Sequence, residues 1–251
     1  MQITPTVKQL LIINVLVYIG SQIVGAQAYQ MLSLYYFENP NFQVWQPITS
    51  MFMHAQLPSL THILFNMLAL YSFGSALEHF WGPTKFIFFY ISCGLGAAAL
   101  QMGLNYYQVQ EGLHLLTSHG FTTAEGYALL QGQSIPLGTR EGIDMSMLNE
   151  AFGAYNFPML GASGAIYGLL VAFAFMFPNA ELAMLFIPIP IKAKYFVPGL
   201  LAIDLFLGVK GSSIFGGGTG VAHFAHLGGA LIGFIMMWYW KKNQFNNRRW
   251  N

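Results

Sequence analysis

Apolar residues gather in six stretches, most of them near the roughly 17–25 residues that carry a helix across a lipid bilayer. They cover about 9–28, 60–80, 86–107, 160–177, 195–209 and 221–240. The fifth is the shortest and has Pro198 and Gly199 near its start. Basic residues test the count, because they favour the cytoplasmic side of short loops. With six crossings and both ends inside, Lys8, Lys85, Lys192, Lys194, Lys241, Lys242, Arg248 and Arg249 share one side. Only Arg140 and Lys210 fall on the other, whereas five or seven crossings scatter them. The pattern predicts an all-α membrane protein, a single six-transmembrane-helix bundle over residues 1–251.

The connections are unequal. External loop 29–59 is rich in Tyr, Phe and Trp, which suits a membrane interface. External loop 108–159 is enlarged and lies between spans three and four, with Glu111, Glu125, Glu141, Asp144 and Glu150 along it. Asp144 can cap a short helix through Phe152, with Met147, Leu148 and Phe152 on one face. The preferred reading of this segment is a solvated loop. Residues 210–220, KGSSIFGGGTG, form a glycine-rich loop, and 241–251 a basic cytoplasmic tail. Lys8, the first apolar run and Ala26-Gln27-Ala28 resemble a signal peptide, but the run exceeds the usual 7–15 residues of such a segment. A bacterial inner membrane is the expected place, with N- and C-termini cytoplasmic.

Composition agrees. Of 251 residues, 55% are apolar and 8% charged, against about 25% charged in soluble domains. A net charge of +1 argues against a nucleic-acid partner. The single cysteine, Cys93, excludes an internal disulfide and a Cys-based metal site, and reads as a small core residue.

Polar groups inside spans are costly and mark function by default. They are His62 and Asn66 in the second, Ser163 and Tyr167 in the fourth, Asp204 in the fifth, and His223 and His226 in the sixth. All three even-numbered spans enter from outside. At 1.5 Å per residue, Ser163 lies about 5 Å and His226 about 6–8 Å below the start of its span. His62, Asn66, Ser163 and His226 therefore share one layer. His62 and Asn66 lie on one helix face, as do Ser163 and Tyr167. Gly161, Gly164 and Gly168 flank the serine, and Gly229 and Gly233 follow His226. Glycine against glycine would bring these two helices into near contact.

A serine hydroxyl needs a base to become a nucleophile, and a histidine can supply one near neutral pH. The resulting oxyanion needs donors, which Asn66, His62 and the Ser163 backbone N–H offer. Each residue also has a plainer reading. The serine can be a packing residue, and a lone histidine a satisfied core residue. His54 and His79 read as structural, His114 and His119 as solvated, and Glu78 as an interfacial anchor. His223 competes with His226 as base. Asp204 can orient an imidazole as a third triad member, although an acid late in a helix more often bonds locally.

Three motifs resemble those of the rhomboid family of intramembrane serine proteases, of the bacterial six-span type, over about Trp45 to Trp240. His62-Ile63-Leu64-Phe65-Asn66 resembles the family's HxxFN segment, which supplies oxyanion donors. Gly161-Ala162-Ser163-Gly164 resembles its GxSG nucleophile motif, followed by Tyr167, the tyrosine that packs on the catalytic histidine. Ala225-His226 with Gly229 and Gly233 resembles the AHxxGxxxG segment, which selects His226 over His223. The resemblance implies a Ser163–His226 dyad without an obligatory acid, no cofactor and no metal. It implies a water-filled cavity and cleavage of single-span membrane proteins near the outer face, with substrate entering past the fifth span and the 210–220 loop. The chain departs from the family at Gln46, where Trp-Arg is common, and in a longer stretch from His54 to His62 that contains Pro58. Two other functions are weighed. A catalytically silent client-binding relative should lack Ser163 or His226. A small transporter should carry paired intramembrane charges or an inverted repeat. Metal-dependent membrane proteolysis wants a His-Glu-x-x-His motif, which is absent.

Overall fold

The computed structural model describes residues 2–134, 142–184, 187–210 and 223–244. Arg140, the 210–220 loop past Lys210 and the end of the basic tail lie outside the described residues. The chain is mostly helical. Helix α1 (Pro5–Val24) opens on a proline, whose missing N–H costs nothing in a first turn. Its other N-terminal N–H groups find Glu78, which accepts from Thr6 N and Val7 N, both at 2.9 Å, and from the Thr4 hydroxyl. Glu78, expected as an interfacial anchor, is instead buried as a cap on a neighbouring helix. A short α2 (Ala26–Leu32), α3 (Gln46–Thr49) and a 3-10 turn (Ser50–Phe52) follow.

Helix α4 (Thr61–Ala69) runs through a π turn (Leu70–Gly74) into α5 (Ser75–Trp81), one rod where the second apolar stretch predicts one helix. Helix α6 (Pro83–Ser118) has 36 residues. It runs well past Tyr107, where the apolar stretch ends. Val109, Leu113 and Leu116 keep a helical stripe going between polar neighbours, and all three are buried. Helices α7 (Thr123–Leu130) and α8 (Met145–Asn156) fold against that extension. Both are capped by their own sequence. Thr122 and Glu125 form a reciprocal capping box, and Asp144 accepts from Ser146 N and Met147 N. The described part of 108–159 is therefore not a solvated loop but a second small core. Leu130, Leu148, Ala151 and Tyr155 are buried there with Tyr36 from the 29–59 segment.

Helix α9 (Ser163–Met176) leads to an antiparallel hairpin of β1 (Glu181–Met184) and β2 (Ile187–Lys192), with Glu181 opposite Lys192. The all-α expectation missed this hairpin, which the alternation Ile-Pro-Ile-Pro-Ile explains, since proline is tolerated on an edge strand. Helices α10 (Ala193–Lys210), with Pro198 inside it, and α11 (His223–Gln244) complete the described elements. Helices α1 and α6 are each long and apolar enough to cross a membrane, and α9 is apolar but shorter.

The main core joins α1, α5, α6, α9 and α11 through residues such as Leu77, Phe86, Phe89, Cys93, Leu169 and Trp240. Its centre includes a seam where the backbones of α9 and α11 meet. A Cβ added to Gly229 would lie 1.8 Å from the Gly164 carbonyl oxygen, and one on Gly233 would lie 2.8 Å from the Gly168 Cα. Helix α11 meets α6 similarly, with Gly228 against the Gly96 carbonyl. Glycine is required along this line because backbone, which cannot rotate away, occupies the space.

Candidate active site

The seam sets the distance between the two residues of the expected dyad. Ser163 is the first residue of α9, and His226 lies in the first turn of α11. With the helices in backbone contact, His226 Nε2 lies 2.9 Å from Ser163 Oγ. Tyr167, one turn below Ser163, stacks on the imidazole with centroids 4.2 Å apart and planes 11° from parallel. This packing fixes the ring plane.

His62 approaches from the first turn of α4. Its Nδ1 accepts the Ala55 backbone N–H at 3.1 Å, so a neutral imidazole carries its proton on Nε2. That nitrogen and the nucleophile both lie beside Gly161: a Cβ there would lie 2.9 Å from His62 Nε2 and 3.6 Å from Ser163 Oγ. Gly161 has φ +123°, a conformation side chains rarely adopt, and donates to the Ser50 carbonyl at 2.9 Å. Asn66, 6% exposed, donates to the His62 carbonyl at 2.7 Å. Its Oδ1 is buried without a hydrogen-bond partner among the described residues. The Ser163 backbone N–H, at the first position of a helix, has no intrahelical acceptor. The His62 ring and the Ser163 backbone N–H thus lie by Gly161 and the serine, and Asn66 lies one turn along α4 from His62.

His54 lies fully buried beside His62, with ring centroids 5.1 Å apart. Burial, reinforced by the charge of His62, pushes its pKa down to about 4. Gln46 also departs from expectation. It is fully buried, accepts from Tyr35 N at 3.2 Å and donates to the Asn41 carbonyl at 2.8 Å. This glutamine ties the 29–59 segment to itself.

Asp204 does not bond locally, as the ordinary reading of a late-helix acid has it. Its Oδ1 lies 2.6 Å from His223 Nδ1 and 3.3 Å from His226 Nδ1. The signal was present in sequence: an acid in one apolar stretch and two histidines three residues apart in another each require a partner. The donor atoms of Asp204, His223 and His226 lie within 4.8 Å of one another, a spacing worth testing as a metal site. Two ligands at about 2.0 Å in tetrahedral geometry stand roughly 3.3 Å apart. The 2.6 Å contact is that of a hydrogen bond. His79 and His114 are exposed and lie away from this cluster. His119, expected to be solvated, is exposed but bridges the Leu115 and Gly142 carbonyls at 2.8 and 3.0 Å.

Comparison with known proteins agrees with the motifs. A family model described as the Rhomboid domain matches residues 41–243. Rhomboid protein 1, mitochondrial, of Saccharomyces cerevisiae is 26% identical over 78% of this chain and 41% of its own length. RHOMBOID-like protein 12, mitochondrial, of Arabidopsis thaliana is 28% identical over 79% of this chain and 47% of its own. Presenilin-associated rhomboid-like protein, mitochondrial, of Homo sapiens is 26% identical over 97% of this chain and 50% of its own. The chain thus spans about half the length of the curated relatives it matches, or less. Their names place them in mitochondria and lend nothing to a bacterial location. The matched domain covers most of the chain and every residue of the Ser163–His226 cluster, and the chain belongs to the rhomboid family.

Proposed function

We propose that the protein is an intramembrane serine endopeptidase that cleaves single-span membrane proteins near the outer face of the bilayer. Rhomboid family members are membrane proteins and are typically intramembrane serine proteases. The observation that carries the reading for this chain is the 2.9 Å approach of His226 Nε2 to Ser163 Oγ across a backbone-to-backbone helix contact.

The chemistry follows from the placed groups. His226 Nε2 takes the Ser163 hydroxyl proton as Oγ attacks the scissile carbonyl carbon. The carbonyl oxygen becomes an oxyanion, which receives the His62 Nε2–H, the Ser163 backbone N–H and the Asn66 amide. The C–N bond then breaks, and the imidazolium returns its proton to the leaving amine. Water, deprotonated by the same imidazole, attacks the acyl ester and releases Ser163. Water must reach this layer, so a hydrated cavity open to the outside belongs to the proposal. No step calls for a cofactor.

The six-crossing arrangement completes the reading: α1, the α4–α5 rod, α6, α9, α10 and α11. It is supported by the large apolar side chains these elements leave uncovered, among them Leu16, Ile23, Phe88, Phe206 and Trp238. In a soluble protein such a surface would aggregate, but against lipid it is the expected exterior. At 1.5 Å per residue α6 is about 54 Å long, against a hydrocarbon layer of about 30 Å. Much of it must project, carrying the second core outside the membrane. The site then lies where α4, α9 and α11 begin, just below the outer surface, with both termini on the cytoplasmic side of a cell (inner) membrane. Substrate would enter past α10 and the 210–220 loop. Purified protein in liposomes should cleave a model single-span substrate, and Ser163→Ala should not. Full cleavage by Ser163→Ala would refute the mechanism.

A further inference from the structure

We propose that Asp204 is a positioning residue for the base: it holds His226 in the tautomer that can accept the Ser163 proton, and His223 holds Asp204. The inference rests on the proteolytic reading above and adds an acid that a two-residue mechanism does not require.

A carboxylate only accepts hydrogen bonds. Both imidazoles present Nδ1 to the same oxygen, at 2.6 Å from His223 and 3.3 Å from His226. Both Nδ1 atoms therefore carry hydrogen. A neutral imidazole has one ring proton, so His226 Nε2 is left bare, and it is this nitrogen that faces Ser163 Oγ at 2.9 Å. The opposite tautomer would set a ring lone pair against a carboxylate oxygen and an N–H where the hydroxyl must donate. Asp204 thus decides which way the Ser163–His226 hydrogen bond runs.

The two unequal distances have separate uses. The short bond from His223 anchors the carboxylate. His223 and His226 are three residues apart on α11, with ring centroids 6.3 Å apart and planes at 86°, so they reach one oxygen from different directions. The longer bond from His226 has room to shorten when the proton leaves Ser163 and the ring becomes cationic. A contact that tightens only as charge develops lowers the barrier rather than the ground state. The groups facing His226 are Ser163 and Tyr167 from α9, Asp204 from α10, His223 on its own helix and, electrostatically, His62 from α4. Among these described residues Asp204 is the one anion. Its carboxylate is 4% exposed beside an imidazole 13% exposed, so water screens the pair little.

The test is Asp204→Asn in the full chain in liposomes. The expected result is a fall in kcat of roughly 10²- to 10⁴-fold with KM within about twofold, since the amide permits the wrong tautomer. The rate of fluorophosphonate labelling at Ser163 should fall in parallel. His223→Gln, which keeps a donor toward Asp204, should lose about tenfold. A kcat within twofold of wild type in Asp204→Asn would overturn the inference. If that variant does not fold, nitrogen-15 NMR of His226 in the wild-type protein decides. Protonated Nδ1 with bare Nε2 supports it, and the reverse tautomer overturns it. Failure here is distinguishable from failure of the proteolytic reading, which would appear as cleavage by Ser163→Ala.

Discussion

The molecule contains two cores of opposite construction. In the outer one, formed by the end of α6 with α7 and α8, large side chains such as Leu116, Leu130 and Tyr155 face inward, and the helices begin at Thr122 and Asp144 caps. In the glycine seam of α6, α9 and α11, backbone meets backbone at Gly164–Gly229 and Gly168–Gly233, and α6 and α11 leave large apolar side chains such as Phe88, Phe234 and Trp238 exposed. In the proposed membrane arrangement the difference is one of solvent. Where water is outside, burying apolar surface holds the structure together. Where lipid is outside, apolar surface gains little by turning inward, so close packing and a few polar bonds carry the load. The active residues belong to the second kind of region because a seam without side chains lets a hydroxyl and an imidazole meet across two helices.

The sharpest way to break this contrast is to put a side chain into the seam. Gly229→Val should prevent accumulation of folded, labelling-competent protein, because the space beyond its Cα holds the Gly164 carbonyl. Overpacking usually costs about 1–3 kcal/mol, and here the neighbour is backbone, so the upper end or more is expected. Expression with size-exclusion profile and Ser163 labelling would read it, and a normally folded, active Gly229→Val protein would contradict the seam. In the outer core the opposite substitution is the damaging one. Leu116→Ala should cost about 3 kcal/mol by cavity formation, read as a lower Tm of the outer unit while Ser163 labelling persists.

The boundary between the regions should show in pH. His54 stays neutral in the folded chain down to about pH 4, while the unfolded residue takes up a proton near the ordinary 6.5. The unfolded state therefore binds more protons between these values, and stability falls as pH drops through that window and levels off below it. The full contribution is on the order of 3 kcal/mol. His54→Gln should flatten the slope of Tm against pH between about 6.5 and 4, and an unchanged slope would assign acid sensitivity elsewhere.

Much of this was legible from spacing. Ser163, Tyr167 and His226 carried their positions in helical periods and flanking glycines, and the structure brings them together. His62 was placed by its motif, but the backbone N–H of Ala55 that sets its tautomer comes from a loop no periodicity describes. Asp204 was misjudged because a sequence lists neighbours along one helix, whereas its partners lie on another. The outer core was missed for a different reason. Hydropathy long enough to detect a crossing averages away an amphipathic stripe, so α6 seemed to stop where its polar face began. The hairpin before α10 escaped because a six-residue strand carries little weight beside six apolar stretches.

Fluorophosphonate labelling of the full-length protein in liposomes, mapped by mass spectrometry, tests the central claim most directly. Covalent modification at Ser163, lost in His226→Ala while that variant keeps the wild-type Tm, is the predicted result. A folded His226→Ala protein labelled at the wild-type rate, or wild-type protein modified only at other residues, would contradict it.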